Sequence, residues 1–451
     1  MTDPSWKHDT IDLLSELIQN ACVNTGEPDS GHEIRSVETI QRFLGDPGVV
    51  VEPLPGRASV VYRIKGSDDG APRLMMIPHL DVVPADQHGW LHPPFSGDRA
   101  DGYVWGRGAV DMLNMTAAMV SAFKTLRDES DVPIGDVVLA CVADEEAGGV
   151  YGAQHLIEHE WDLIACDYVL TEVAGPSLHN DLGTSIPVTV AEKGPAWRSF
   201  SASGISGHGS QPYARDNAVV TMADAFHQIA ASPMPLLVTD EWLEFVPHLP
   251  VAADLRDRLT DPDQVDDAVA AIAESDVTLA RWIHACTHMT LSPNVFTGGA
   301  KSNVVPDQSS GDVDVRLLPG QDASDLDDHL RKVLGPDLYE HLEITPILEM
   351  AANSSPASGP LWEAIGDAAE HHSGSRALAP TLTPVTTDAR FFRKLGIPSY
   401  GVGLFDDSAT FADMLGMFHG VNERISERSA VETTAFLGTV IARFSERIAK
   451  Q

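Results

Sequence analysis

The pattern of apolar and polar positions in the first third of the chain predicts helix-like and strand-like segments that follow one another. Ile11, Leu14, Leu17 and Ile18 recur at helical spacing within residues 10–21. Strand-like and further helix-like segments follow in turn: strands at 58–64, 73–77, 136–143 and 167–171, and helices at 111–126 and 151–160. Alternation of this kind predicts an α/β layered domain with a largely parallel sheet.

The pattern changes near residue 194, where Gly- and Ser-rich sequence replaces the alternation. The segments that follow are helix-like at 215–231, 263–286 and 323–334, and strand-like at 289–297, 312–318 and 342–349. The alternation of helix, strand and helix resumes at 358–372 and ends with a helix at 428–447. We therefore predict an α/β domain with a mixed, largely parallel sheet in two pieces, 1–194 and 351–451. A smaller α+β domain at 195–350 is inserted between them.

Length and charge narrow the class of protein. A chain of 451 residues suggests two or three domains, and 43% hydrophobic residues supply ample material for their cores. The 66 acidic and 30 basic residues give a net charge of −36, which argues against nucleic acid and anionic membrane as partners. No apolar run is long enough to span a bilayer, and the N-terminal sequence lacks signal-peptide features. We expect a cytoplasmic protein.

Polar side chains cluster at or just after four predicted strands and turns of the first piece. They are His79 and Asp81 in "IPHLDVVPA", Asp111 in "YVWGRGAVDMLN", Glu145 and Glu146 in "DEEAGG", and Glu172 in "LTEVAG". Open α/β sheets bind ligands at the carboxyl ends of their strands. We therefore expect these four clusters to converge on one place.

Imidazole and carboxylate groups in one pocket indicate a metal site. Several acids brought together repel one another unless cations neutralise them. One zinc needs about three protein ligands, and two zincs about 3.5–4 Å apart need a carboxylate that bridges them. Asp81, two residues after His79, suits the role of accepting the other imidazole N–H. His419, in "MFHGVNERI", supplies a second imidazole near the end of the chain.

The ordered motifs HxDVVPA, GRGxxDM, DEExG, a downstream TE and a terminal HGxNE resemble the M20 family of zinc metallopeptidases and amidohydrolases. That family includes glutamate carboxypeptidases, aminoacylases, acetylornithine and succinyl-diaminopimelate deacylases, and certain dipeptidases. The resemblance covers nearly the whole chain, including the inserted domain, which in the family is a lid or dimerisation domain. One departure is Leu113, where the family often has Lys after Asp-Met.

The resemblance implies a role for each residue of the cluster. These roles are Asp111 as the bridge between two metals, His79 and Glu172 at one metal, Glu146 and His419 at the other, Glu145 as general base, and Asp81 as the residue that orients His79. The implied cofactors are two Zn²⁺ ions, with Co²⁺ or Mn²⁺ as alternatives.

Further residues are implied to contact the substrate. His208, in "SGHGSQP", matches a lid histidine that reaches the active site of the partner subunit in a homodimer. Asn303 and Arg316 match lid positions that contact a substrate carboxylate. Arg390 and Gly401 lie in a segment that returns to the active site.

The predicted function is hydrolysis of an amide or peptide bond in a small N-acyl amino acid or short peptide with a free carboxylate. Metal-activated water attacks, and Glu145 acts as base. The alternatives are a related two-zinc aminopeptidase or dipeptidase, and a non-catalytic metal-binding protein on the same fold. A competing metal motif, "HLIEH" with His155 and His159, rests on three residues only, and we interpret it as part of a covering helix.

Overall fold

The computed structural model describes residues 5–129, 132–173 and 175–449. Its largest element is a ten-stranded mixed sheet. Eight strands lie in the order Val49–Leu54, Arg57–Ile64, Val137–Cys141, Leu74–Met76, Tyr168–Thr171, Ser399–Gly401, Gly183–Glu192 and Asn353–Ser354, and the strands Leu378–Thr383 and Leu178–Asn180 also pair with Gly183–Glu192. The fold class is as predicted, a mixed α/β architecture with a partly parallel main sheet.

The centre of this sheet is parallel, one edge is antiparallel, and at the other end Leu378–Thr383 pairs in parallel with Gly183–Glu192. Leu74 is in register with Val137 on one side and with Tyr168 on the other, and both pairings are parallel. The strand Val137–Cys141 is buried at every residue, which explains its nearly uniform apolar sequence. Because these three neighbouring strands run in one direction, their carboxyl ends meet at one edge of the sheet.

Helices cover the sheet on both sides. They are Ser5–Gln19, Ile34–Leu44, Leu113–Asp128, Ala153–His159, Trp161–Ile164, Pro360–Ser373, Ala389–Lys394, Phe411–Met417 and Glu427–Ile448. The helix Leu113–Asp128 is buried continuously from Leu113 to Phe123 because it packs between the sheet and the helices Ser5–Gln19 and Glu427–Ile448. None of the described helices is both long and apolar enough to cross a membrane.

A second, four-stranded antiparallel sheet has its own core. Its strands lie in the order Thr290–Gly298, Gln308–Leu317, Gly194–Ser203 and Leu342–Glu349. The helices Ala218–Ala231 and Ala323–Glu340 pack on it around Phe200, Met222 and Leu330. A two-stranded ribbon, Gly207–His208 with Val304–Val305, extends from this unit.

The helical segment 240–287 packs against the ten-stranded sheet rather than the four-stranded one. Its helices are Asp240–Phe245, Ala253–Arg258, Val265–Ala273 and Val277–Thr287. Trp242 and Trp282 join the core of the ten-stranded sheet, and the Trp282 ring lies 5.2 Å from the Phe411 ring. The predicted boundaries at 195 and 350 stay predictions, but this part of the range is packed against the larger domain.

The helix-like segment predicted at 263–286 is two helices rather than one. The first ends at Ala273, and the second begins after Asp276, whose side chain accepts a hydrogen bond from the Leu279 backbone N–H at 2.9 Å. An aspartate in this N-cap position starts a new helix because it pairs an otherwise unsatisfied donor. The continuous prediction was wrong for this local reason.

Candidate metal centre

The parallel strands deliver most of the predicted cluster to one edge of the main sheet. His79 follows the strand Leu74–Met76, and Glu172 follows the strand Tyr168–Thr171. Glu145 and Glu146 follow Val137–Cys141 in a short 3-10 turn that Asp144 enters with a φ of 72°. The left-handed conformation of Asp144 turns the chain sharply at the end of the strand, so the two glutamates leave it in different directions.

A small three-stranded sheet brings in the other two residues. The strand Tyr103–Trp105 pairs with Arg99–Ala100 on one side and with Arg424–Ser426 on the other. This pairing places the glycine-rich turn before Asp111 beside the loop that carries His419.

Asp111 lies between the two imidazoles. Its Oδ1 is 3.3 Å from His79 Nε2, and its Oδ2 is 3.3 Å from His419 Nε2. Glu172 Oε2 is 3.7 Å from His79 Nε2, and Glu146 Oε2 is 3.3 Å from His419 Nε2. The structure therefore brings all five predicted metal ligands together, with one oxygen of Asp111 directed to each histidine.

The possible ligand atoms also form two overlapping groups that share His79. Atoms of His79, Asp111 and Glu146 all lie within 4.8 Å of one another, and so do atoms of His79, Glu145 and Glu172. Glu145, predicted as an unligated base, is thus near enough to compete for a metal.

The donor set fits a divalent cation. Glu146 Oε1 is buried without a hydrogen-bond partner among the described residues. A buried carboxylate oxygen without a donor is costly, and a cation removes that cost. Imidazole and carboxylate ligands of this kind suit zinc and neighbouring divalent metals.

The electrostatics of the metal-free cluster point the same way. Burial, followed by repulsion from Asp111, raises the pKa of Glu146 to about 8. Burial raises the pKa of Glu172 well above its usual range. Hydrogen bonds to Asp111 and Glu146 raise the pKa of His419 to about 10. Without a cation, the cluster therefore retains protons that metal binding would displace.

Asp81 connects the two halves of the cluster. His79 Nδ1 lies 3.0 Å from the Asp81 carbonyl oxygen and 3.5 Å from its Oδ1, so the imidazole contacts the backbone more closely than the predicted carboxylate. The Asp81 carboxylate accepts the backbone N–H groups of Glu145 at 3.2 Å and Glu146 at 3.1 Å. One buried residue therefore contacts His79 mainly through its backbone and the acidic turn through its side chain.

A buried pair that the sequence reasoning missed holds Asp111 against the loop of His419. Arg107 Nη1 lies 2.7 Å from Glu423 Oε2, and Arg107 Nη2 donates to the His419 carbonyl at 3.1 Å. Glu423 Oε1 accepts the backbone N–H groups of Val110 at 2.7 Å and Asp111 at 3.0 Å. Arg107 lies in the GRG motif and Glu423 in the HGVNE motif. Their presence in these motifs was the only sequence signal that could have indicated their role.

A second missed network lies beneath the acidic turn. The Arg57 guanidinium is buried and contacts Glu33 Oε1 at 2.8 Å and Asp144 Oδ1 at 2.7 Å. Asn24 donates to both Asp81, at 2.8 Å, and Asp144, at 3.2 Å. Asp144 is therefore bound by other protein side chains at the end of the strand.

Arg390 and Gly401 lie against the cluster through other contacts than those predicted. Arg390 is buried, with Nη1 3.6 Å from Glu145 Oε1 and Nη2 donating to the Gly148 carbonyl at 2.9 Å. A Cβ at Gly401 would stand 1.9 Å from the Glu172 carbonyl oxygen, so only glycine permits this close approach. Direct substrate contact by either residue stays a prediction.

The predicted lid residues lie away from the cluster. His208 is exposed, with Nδ1 2.8 Å from Ser210 Oγ. Asn303 is beside it, since its carbonyl accepts the Gly209 N–H at 2.8 Å. Arg316 lies over the Trp197 ring at 5.5 Å, and its Nε and Nη2 contact Asp314 at 2.8 and 3.2 Å. None of these side chains lines the cavity at the cluster.

That cavity has a volume of about 560 Å³ and combines acidic and apolar walls. Asp111, Glu145, Glu146 and Glu172 line it together with His419. The rest of the cavity wall is largely apolar and includes Pro187, Trp282, Leu382, Val385, Phe411, Met414, Leu415 and Phe418.

The competing "HLIEH" motif stands outside this site. His155 and His159 lie on the helix Ala153–His159 with their rings 4.6 Å apart. Neither residue lines the cavity, and neither belongs to a cluster of possible metal ligands among the described residues.

Comparison with known proteins agrees with the arrangement of motifs. A model described as peptidase family M20/M25/M40 matches residues 75–443. Aminoacylase-1 of Mus musculus is 24% identical over 433 residues, which cover 94% of this chain and 92% of the mouse protein. The succinyl-diaminopimelate desuccinylase of Rhodospirillum centenum is 25% identical over 447 residues, which cover 97% of each chain.

Among solved structures, an M20 family metallo-carboxypeptidase from Sulfolobus solfataricus has the same fold. The TM-score is 0.72 at 19% identity, and the match covers 97% of this chain and 99% of that chain.

Proposed function

The chain belongs to peptidase family M20/M25/M40, and we propose that it is a two-zinc hydrolase of N-acyl amino acids or short peptides with a free carboxylate. Its homologues and structural neighbours make it a hydrolytic metalloenzyme. The zinc identity, the number of metals and the substrate class are the proposed part.

The observation that carries the proposal is the position of Asp111. A carboxylate with its two oxygens 3.3 Å from two different imidazoles would be able to bridge two ions, which supports the proposal. His79 and Glu172 would hold one ion, and Glu146 and His419 the other. Co²⁺ or Mn²⁺ would suit the same ligands.

Two bound divalent ions would supply Lewis-acid polarisation of the scissile carbonyl and lower the pKa of an attacking water. The chain's own contribution is Glu145. In the metal-free cluster, burial raises the pKa of its carboxyl to about 7. Bound cations would favour the ionised carboxylate, which is the form that accepts a proton from the water. Glu145 would take the proton from the water and deliver it to the leaving amine.

Arg390 limits how far the pKa of Glu145 rises. Its guanidinium, 3.6 Å from Glu145 Oε1, favours the ionised carboxylate and opposes the effect of burial. Asp81 holds the Glu145 backbone N–H, so the position of the base is tied to the position of His79.

His208 would act across a homodimer. In one chain it is exposed on the ribbon Gly207–His208 and does not line the cavity, so a second copy would have to present it. There its imidazole would stabilise the oxyanion. Asn303 lies in the turn just before the neighbouring strand Val304–Val305 and would reach the substrate by the same route. Arg316 would have to exchange Asp314 for a substrate carboxylate.

The proposed substrate class combines the cavity with the names of the relatives. An aminoacylase and a desuccinylase act on acylated amino acids by their names. A cavity of about 560 Å³ is large enough for a small molecule, and its apolar residues suit an acyl or side-chain group.

The direct test is Glu145→Gln in zinc-loaded protein, assayed with a panel of N-acyl amino acids and dipeptides. We expect kcat to fall by roughly 10²- to 10⁴-fold while bound zinc, measured by mass spectrometry, is retained. Glu158→Gln is the matched control, because Glu158 is an exposed glutamate on the helix Ala153–His159. Full activity of Glu145→Gln would refute the mechanism.

The aminopeptidase alternative is tested with the same protein. An aminopeptidase prefers an amino-acid amide with a free amine, whereas the proposed enzyme prefers an N-blocked amino acid. A preference for the amide would replace the proposed substrate class and leave the metal centre intact.

A further inference from the structure

We propose that Arg281 is a specificity-determining residue that binds a free carboxylate of the substrate on the wall of the metal-site cavity. The inference rests on the proposed function, and it names a residue for the recognition of the substrate anion. It is built on the inserted helical segment, which the sequence motifs do not include.

The first observation is that one helix forms a wall of the cavity. Thr278, Arg281, Trp282 and Ala285 all line it. These positions have the spacing i, i+3, i+4 and i+7 on the helix Val277–Thr287, so they share one face. That face therefore looks onto the same space as the candidate metal ligands.

The second observation is that Arg281 has a free guanidinium. Among the residues that the structure describes, no carboxylate, hydrogen-bond acceptor or aromatic ring contacts its side chain, which is exposed. Arg316 differs in this respect, because Asp314 already occupies two of its nitrogens. In a chain with 66 acidic and 30 basic residues, an arginine left unpaired beside an acidic cavity is available to a ligand.

The third observation is that Arg281 is the only arginine or lysine among the described residues that line this cavity. Four carboxylates line it as well and would repel an anionic substrate. A planar guanidinium matches a carboxylate with two parallel hydrogen bonds, which gives orientation as well as attraction.

The helix that carries Arg281 is held in place at both ends. Asp276 caps its N-terminus, and Trp282 packs against Phe411. At the other end the Lys193 ammonium donates to the Ala285 carbonyl at 3.0 Å and the His288 carbonyl at 2.8 Å. Only the long side chain of Arg281 has to become ordered when a ligand binds.

The carboxylate has two possible positions in an N-acyl amino acid. It can be the α-carboxylate of the amino acid or a terminal carboxylate of the acyl group. The α-arm of the test compares N-acetyl-leucine with N-acetyl-leucinamide. The ω-arm compares N-succinyl-leucinamide with N-butyryl-leucinamide. Each pair differs in one carboxylate.

Binding is measured by calorimetry on zinc-loaded protein that carries Glu145→Gln to prevent turnover. We expect Arg281→Gln to weaken binding of the carboxylate member of one pair by roughly 10- to 100-fold, the loss typical of a hydrogen-bonded charge. The neutral members should change by less than about twofold, and Arg281→Lys should be intermediate because an ammonium keeps the charge but loses the fork.

Arg258→Gln is the matched control, because Arg258 lies on the inserted segment but does not line the cavity. It should change binding in neither arm. Equal weakening of neutral and charged members by Arg281→Gln would show a structural role and overturn the proposal, and so would unchanged binding in both arms. A loss seen with Arg316→Gln instead would assign recognition to Arg316.

The failure of the proposed function looks different. If zinc-loaded wild-type protein hydrolyses none of the four compounds, the proposed substrate class is wrong. The binding comparison still decides whether Arg281 recognises a carboxylate.

Discussion

The buried pair of Arg107 and Glu423 offers the sharpest test of how the fold supports the metal centre. The Arg107 side chain is 4% exposed and the Glu423 side chain 0%. Arg107→Met removes the cation and leaves a buried carboxylate whose other oxygen accepts only the backbone N–H groups of Val110 and Asp111. Removing one partner of such a pair costs about 3–5 kcal/mol.

The chain contains a matched exposed pair for comparison. Arg99 and Glu427 join the same two segments at 2.7 Å, but their side chains are 37% and 30% exposed. An exposed pair contributes about 0–1 kcal/mol, so Arg99→Met should have little effect. Arg99 also contacts Asp12 at 2.8 Å, but that partner is exposed too. Both substitutions replace an arginine with methionine beside the three-stranded sheet, and the main difference between them is the burial of the ion pair.

The assay is urea unfolding of metal-free protein, followed by tryptophan fluorescence. We expect Arg107→Met to lower the free energy of unfolding by about 3–5 kcal/mol, and the added change Glu423→Gln to recover part of that loss. The His419 carbonyl also loses its donor, and the Glu423 carboxylate that accepts the Asp111 backbone N–H loses its cation. Zinc affinity should therefore fall by about 10- to 100-fold, as when an outer hydrogen-bonding partner of a metal ligand is removed. Equal effects of Arg107→Met and Arg99→Met would refute the reasoning.

Three further outcomes are expected. Gly401→Ala should reduce both zinc content and stability, since its Cβ would stand 1.9 Å from the Glu172 carbonyl oxygen; normal zinc content would contradict this close approach. Zinc binding at pH 7.5 should release protons in calorimetry, because the pKa of His419, raised to about 10, leaves the metal-free imidazole protonated. Apparent zinc affinity should accordingly rise with pH up to about pH 10, and a pH-independent affinity would count against the cluster. Alanine at both His155 and His159 should leave hydrolysis intact, and loss of activity there would favour the "HLIEH" motif.

The convergence of these side chains could be predicted from the sequence because several of them follow strand ends in short motifs, and their roles as metal ligands stay predictions. His79 and Glu172 follow strands whose apolar runs are visible in the sequence, and parallel pairing of those strands places their ends together. The alternation of segments likewise predicts the α/β fold class. These features depend on local composition and on a general rule of sheet topology.

The supporting contacts could not be predicted in the same way. Arg57 and Glu33 are 24 residues apart, and Arg107 and Glu423 are 316 apart. No periodicity links such pairs, since they meet only through the packing of the whole domain.

Several strands of the main sheet were missed, among them Val49–Leu54, Leu378–Thr383 and Gly183–Glu192, and the last of these shows a local reason. Gly183–Glu192 is a ten-residue strand of the main sheet, yet it contains Pro187, and proline within a run argues against a central strand. In the structure Pro187 pairs with Ala379 in a parallel ladder. Tertiary pairing therefore overrides a local signal at this position.

The sequence also did not predict which domain the inserted helices pack against. Trp282 lies in a range assigned by pattern to the smaller domain, but it packs in the core of the larger one. The apolar face of a helix shows that it is buried and does not show against what.

The central claim is that Asp111 bridges two metal ions. Its most direct test is an anomalous difference map from crystals of zinc-loaded protein, collected at the zinc absorption edge. We predict two peaks about 3.5–4 Å apart, one beside His79 and Glu172 and the other beside His419 and Glu146, with an oxygen of Asp111 on each. A single peak, or two peaks of which Asp111 contacts only one, would contradict the account.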